Sequence, residues 1–65
     1  MKKYYTLVTN EDGAGWAPQF GDYDREVVEA EVEDSYDDIP RRYVKIIRTG
    51  DSQAEIDAAI AKLNA

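Results

Sequence analysis

Acidic side chains crowded into the middle of the chain are the first candidates for chemistry in this sequence. Nine Asp and Glu residues and one basic residue, Arg25, lie between positions 22 and 38, so this segment has a formal charge of −8, against −6 for all 65 residues. Paired carboxylates can act as general acid and base, and clustered carboxylates can bind Ca²⁺. A glycosidase-type pair must flank a substrate cleft, however, and this short chain has too few residues to build one. Residues 10–15 do not continue an EF-hand pattern either.

Histidine and cysteine are both absent from the chain. It therefore has no disulfide, no thiolate zinc site and no imidazole to act as a metal ligand or as an acid and base near neutral pH. The glycines of the sequence GAG at residues 13–15 lack the spacing and the following helix of a phosphate-binding loop. We therefore expect a protein that acts by binding, not by catalysis, and that has no cofactor and no dedicated metal site.

The acidic segment has the pattern of a helix spanning about residues 24–38. Asp24 is the expected N-cap, and Val28, Val32 and Tyr36 recur at the spacing of a buried stripe. The carboxylates at the remaining positions form an outward stripe, Glu26, Glu29, Glu33 and Asp37, flanked by Glu31, Asp34 and Asp38. Like charges three or four residues apart destabilise a helix by a few tenths of a kcal/mol per pair, so helix stability does not explain them.

Two interpretations of this acidic stripe remain open from the sequence. In one, it docks onto a basic surface of a partner protein, imitating the phosphates of a nucleic acid. In the other, it is a solvated helix face whose charge is offset within the protein by four basic residues of the next strand, Arg41, Arg42, Lys45 and Arg48. The first interpretation predicts a set of partner-binding residues: Glu26, Glu29, Glu33, Asp34, Asp37 and, at the end of a glycine-rich turn, Trp16.

The elements around this helix predict one domain spanning residues 1–65. Strands are expected at residues 3–9, 16–20 and 41–49, and a second helix begins at Ser52, which forms a capping box with Glu55. Pro18 places the second strand at an edge of the sheet, and Trp16 and Phe20 are expected on the same face of this strand as Pro18. The sequence thus predicts a two-layer α+β fold, β-β-α-β-α, with a three-stranded antiparallel sheet of order 2-1-3 and both helices on one face.

Two further functions fit other features of the sequence. A homodimer could form through an edge strand or through an alanine stripe on the second helix, formed by Ala54, Ala58, Ala61 and Ala65. Single-stranded nucleic acid could stack on an uncovered sheet face bearing Tyr4 or Tyr43 beside basic residues, namely Lys3, Arg42 and Lys45. The net negative charge opposes this second function.

Nothing in the sequence predicts a membrane segment. The apolar runs are only a few residues long, and the basic start Met1-Lys2-Lys3 is not followed by the apolar region of a signal peptide. We therefore expect the protein in the cytoplasm, without a membrane partner.

Three segments carry a resemblance to known proteins: residues 16–25 (WAPQFGDYDR), 45–51 (KIIRTGD) and 56–64 (IDAAIAKLN). They resemble short proteins without an assigned function that tailed bacteriophages encode. The shared motifs are structural, a strand-to-helix turn and a capped C-terminal helix, so no functional residue carries over. The resemblance implies a setting in which small acidic proteins inhibit host machinery, as anti-CRISPR proteins and DNA mimics do.

Overall fold

The computed structural model describes residues 3–11 and 13–65. Met1, Lys2 and Asp12, which belong to the expected N-terminus and first turn, lie outside the described residues. The sheet is antiparallel, and its strand order β2-β1-β3 and the α+β class are as predicted. The elements are β1 Tyr4–Thr9, β2 Ala17–Asp22, α1 Arg25–Ser35, a 3-10 helix Arg41–Tyr43, β3 Val44–Thr49 and α2 Gln53–Leu63.

Both helices begin at the predicted caps. The Asp24 side chain accepts a hydrogen bond from the backbone N–H of Glu26 at 2.9 Å. Ser52 accepts one from the N–H of Glu55 at 3.2 Å, and its hydroxyl donates to the Glu55 carboxylate at 3.1 Å. Each cap satisfies a backbone donor that the first helical turn would otherwise leave unpaired.

The C-terminal end of α1 differs from the prediction. The helix ends at Ser35 instead of Asp38, and the Tyr36 N–H closes it by donating to the Val32 carbonyl at 2.9 Å. No basic residue lies in its last turn, whereas carboxylates crowd there, and negative charge beside exposed helix carbonyls is unfavourable. Asp37 and Asp38 therefore occupy the turn that follows the helix.

The start of β3 also differs, because residues 41–43 form a 3-10 turn instead of a strand. The Tyr43 N–H donates to the Pro40 carbonyl at 2.9 Å, which closes this turn. The φ of Pro40, −54°, is compatible with such a tight turn, and β3 begins only at Val44.

Strand β2 runs two residues further than predicted and contains an irregularity opposite β1. Leu7 pairs with Phe20, but Val8 pairs with Pro18, so Gln19 is an extra residue in β2. The shift places Pro18 and Phe20 on opposite faces of the sheet, and the predicted common face is wrong. A bulge of this kind suits a strand in which proline interrupts the ladder.

The two helices cover opposite faces of the sheet, so the expectation of two layers with both helices on one face is wrong. The first face carries Leu7, which packs with Val28 and Val32 of α1. On the second face Thr6 is 2% exposed and Val8 0% exposed. There, Ile56 of α2 lines a pocket with Tyr4 and Thr6. Because β1 is apolar on both sides, a helix layer on one face alone would leave Val8 in water.

Each helix is displaced toward a different edge of the sheet. Helix α1 packs mainly on β1 and β2, whereas α2 packs mainly on β3. On the first face, therefore, a groove of about 310 Å³ lies between α1 and β3. Its lining includes the apolar side chains Val32, Val44 and Ile46 and charged residues of both elements.

Candidate protein-binding surface

The acidic side chains lie together on the exposed side of α1 and in the turn after it. The name acidic surface is used here for Glu26, Glu29, Glu33, Asp34, Asp37 and Asp38, all of which are exposed. Burial of Val28 and Val32 against the sheet fixes the rotation of the helix, and its period of 3.6 residues then turns the carboxylates outward. The five acidic residues predicted for partner binding therefore share one side of the molecule.

Direct ion pairs leave most of the acidic surface free. Within residues 3–11 and 13–65 there is one ion pair, between Arg25 and Glu29 of α1 at 3.0 Å. Of the basic residues that were expected to offset the helix charge, Arg41 and Lys45 line the groove together with Glu29 and Glu33 but form no ion pair with them. Arg42 stacks on the Tyr43 ring at 5.1 Å and Lys45 on the Trp16 ring at 4.9 Å. The predicted internal compensation by the following strand is thus not made through direct contacts.

At the C-terminal end of α1 the helix backbone strengthens the negative potential of the acidic surface. Glu33 and Asp34 lie in the last helical turn, and Asp37 follows directly after it. The C-terminal end of a helix has about half a negative elementary charge from its unpaired carbonyls. The side chains and the backbone dipole therefore act in the same direction, which disfavours folding slightly and attracts cations or basic protein groups.

The carboxylates are spread over the surface and do not converge on one point. In the part of the chain that the structure describes, no group of three acidic side chains is arranged to hold a metal ion. The geometry is that of an extended charged surface, which can contact several basic side chains of a protein at once.

Sequence reasoning missed an apolar residue on the same helix. Val27 is 42% exposed, and Ala30 one turn later is exposed too. Binding interfaces commonly combine an apolar centre with a polar rim, and Val27 with Ala30 can supply that centre. The sequence did contain a signal for this exposed residue, because Val27 is apolar but lies outside the buried i, i+4 stripe of Val28 and Val32.

Trp16 does not lie with the acidic surface. Its backbone N–H donates to Asn64 Oδ1 at 2.7 Å, and Asn64 Nδ2 donates to its carbonyl at 3.2 Å. Lys45, which stacks on its ring, pairs with Val8 and so belongs to the second face of the sheet. Trp16 thus joins β2 to the end of α2, and the structure separates it from the five acidic residues with which it was predicted to bind.

The second sheet face is not the open aromatic platform that the nucleic-acid alternative requires. Helix α2 covers its centre, and Tyr4 packs edge-on against Tyr23 with ring centroids 4.9 Å apart. The Tyr23 hydroxyl donates to Asp51 at 2.8 Å. This hydrogen bond, with smaller effects of desolvation and of the charge on Asp51, raises the pKa of Tyr23. Tyr4 therefore has a partner within the protein, and Tyr43, the other tyrosine of that alternative, has the Arg42 guanidinium 5.1 Å from its ring centroid.

Among the described residues, neither helix has the length and apolar character needed to cross a bilayer. Comparison of the chain with protein-family models, with curated proteins and with solved structures found no match.

Proposed function

We propose that this protein is a non-enzymatic binding protein whose acidic surface docks onto a basic surface of a partner protein. The observation that supports the proposal best is the combination of exposed carboxylates, the negative end of α1 and a single ion pair among the described residues. Charge concentrated in this way disfavours folding, so a binding role accounts for it better than stability does.

Docking would use two kinds of contact. The carboxylates would speed association with a basic surface and align the partner, an effect that salt weakens. Val27 and Ala30 would then pack against an apolar spot on the partner and slow dissociation.

The biological setting that we propose follows from the resemblance to short phage-encoded proteins. In that setting the protein acts in the cytoplasm of the host cell, and its partner is a host protein that itself binds nucleic acid or another polyanion. Occupying the partner's basic groove would inhibit it, as an anti-CRISPR protein or a DNA mimic does.

The first experiment identifies the partner by capture from bacterial lysate at low and high salt, followed by mass spectrometry. Two variants of equal net charge are then compared against that partner. Glu33→Gln with Asp34→Asn changes the acidic surface, whereas Glu11→Gln with Asp57→Asn changes exposed carboxylates outside it.

We expect the first variant to bind at least tenfold more weakly, with a smaller dependence on salt, and the control to bind almost as tightly as the original chain. Circular dichroism would show that both variants are folded. Equal affinity of the two variants for the captured protein would overturn the proposal, because net charge alone would then explain the binding.

A further inference from the structure

Charges of both signs line the groove between α1 and β3. Its charged residues are Arg25, Glu29, Glu33, Arg41 and Lys45. Arg25 and Glu29 neutralise each other, because they form an ion pair at 3.0 Å. The Lys45 ammonium lies 4.9 Å from the centre of the Trp16 ring, so its charge is directed to the second face of the sheet. One acidic and one basic residue remain, Glu33 and Arg41, and neither forms an ion pair within the described residues.

These two remaining charges stand on different sides of an apolar floor. Glu33 belongs to the last turn of α1, and Arg41 begins the 3-10 helix that precedes β3. The floor is formed by the buried side chains of Val32 and Val44 and by half-buried Ile46. A ligand that matches this arrangement has an apolar centre with a basic group on one side and an acidic group on the other.

We propose that the groove binds an exposed segment of the partner protein in which a basic and an acidic residue flank apolar side chains. The basic group contacts Glu33, the carboxylate contacts Arg41, and the apolar side chains pack on Ile46. This inference rests on the proposed function, because Glu33 also belongs to the acidic surface, and it adds that the partner has an acidic residue there. A uniformly basic partner surface would place a cation against Arg41, which is unfavourable.

The size of the groove fits such an occupant. A volume of about 310 Å³ is at the small end of the range of ligand pockets, so a short segment fills it.

Blocked tetrapeptides test the groove without the partner. The probe acetyl-Lys-Leu-Leu-Glu-amide has one charge of each sign, and the comparison peptide acetyl-Lys-Leu-Leu-Lys-amide has two positive charges. NMR titrations are made at about 0.15 M salt, where the Debye length is about 8 Å and distant carboxylates are screened. We expect the probe to shift the amide signals of Val32, Val44 and Ile46 and to bind about fivefold more tightly. The comparison peptide replaces an exposed ion pair by a repulsion of similar size.

Two arginine substitutions with the same change of net charge test the role of Arg41. Arg41→Glu reverses a charge that lines the groove. The control Arg42→Glu reverses the next charge along the chain, which stacks on the Tyr43 ring outside the groove. Arg41→Glu should reverse the preference, so that the doubly basic peptide binds more tightly, and Arg42→Glu should leave the preference unchanged. Circular dichroism would show that both variants are folded.

Several results would overturn the proposal. They are equal or tighter binding of the doubly basic peptide to the unaltered chain, no shifts at the groove, and the same preference in the two arginine variants. Free leucine that binds as tightly as the probe would also overturn it, because the groove would then accept a small zwitterion instead of a protein segment.

The captured partner separates this proposal from the proposed function. If Glu33→Gln with Asp34→Asn weakens binding of that partner, whereas Arg41→Glu and Arg42→Glu change it equally, the acidic surface docks but the groove does not take part. We expect Arg41→Glu to bind the partner about fivefold more weakly than Arg42→Glu does, although both variants are more acidic than the original chain.

Discussion

Removing negative charge from the two ends of α1 should have opposite effects on stability. Glu26 lies in the first turn, where the helix dipole favours an anion, and Glu33 and Asp34 lie in the last turn, where it opposes one. Glu26→Gln should therefore destabilise the protein, and Glu33→Gln with Asp34→Asn should stabilise it. These substitutions preserve side-chain size, so the main change is the charge.

The magnitude follows from the position of each carboxylate. A charge at a helix end contributes about 0.3–1 kcal/mol, and loss of the Glu29–Glu33 repulsion adds about 0.2–0.5 kcal/mol. The double variant should therefore gain about 1 kcal/mol of unfolding free energy, which raises the melting temperature of a domain this size by about 4–8 °C. Glu26→Gln should lose about 0.3–1 kcal/mol.

Thermal unfolding followed by circular dichroism at low salt and at 1 M salt measures both effects. At 1 M salt the Debye length is only about 3 Å. The stability gain of the double variant and the stability loss of Glu26→Gln should therefore both be smaller there. The reasoning fails if the two variants shift stability in the same direction, or if the gain of the double variant is the same at high salt. A stabilised double variant that no longer binds would show that the protein keeps these carboxylates at a cost to its stability.

Two further predictions concern α2 and its connections. Ile60→Ala should lower the unfolding free energy by about 2 kcal/mol or more, because this α2 side chain is buried. The control Ala58→Ser changes an exposed residue of the same helix and should alter the unfolding free energy little. Equal losses for the two variants in urea unfolding would contradict packing of α2 on the second face. The hydrogen bond to Asp51 raises the pKa of Tyr23 above its ordinary value of 10.0. The stability that this hydrogen bond contributes is therefore complete below pH 10.0 and is lost as the pH rises through the raised pKa. Tyr23→Phe should therefore be less stable than the unaltered chain near neutral pH and should lose less stability as the pH rises. Melting temperatures of the two proteins that change in parallel from pH 8 to 11 would contradict this.

Several parts of the fold were predictable from sequence because they depend on neighbours along the chain. The caps at Asp24 and Ser52 need only a side-chain oxygen two or three residues before an N–H, and both were predicted correctly. The outward carboxylates of α1 follow from the helical period and from the burial of Val28 and Val32. The strand order followed from a right-handed crossover through α1, and it agrees with the apolar residues on both sides of β1.

Local patterns failed where a competing local interaction or a change of register intervened. The expected helix up to Asp38 stops at Ser35, at a C-terminal end crowded with carboxylates, and the expected strand at residues 41–43 closes as a turn on Pro40. The alternation of β2 was misassigned because one extra residue, Gln19, moves every later side chain to the other face.

The sequence by itself determined which side of each helix is apolar and where most of the carboxylates point, because the helical period is a property of the chain alone. Only the tertiary structure decided that α2 covers the second face, that Trp16 lies away from the acidic surface, and that Lys45 stacks on its ring instead of pairing with α1. The physical reason is that an apolar stripe must be buried but does not specify its neighbour, which the packing of the whole chain selects.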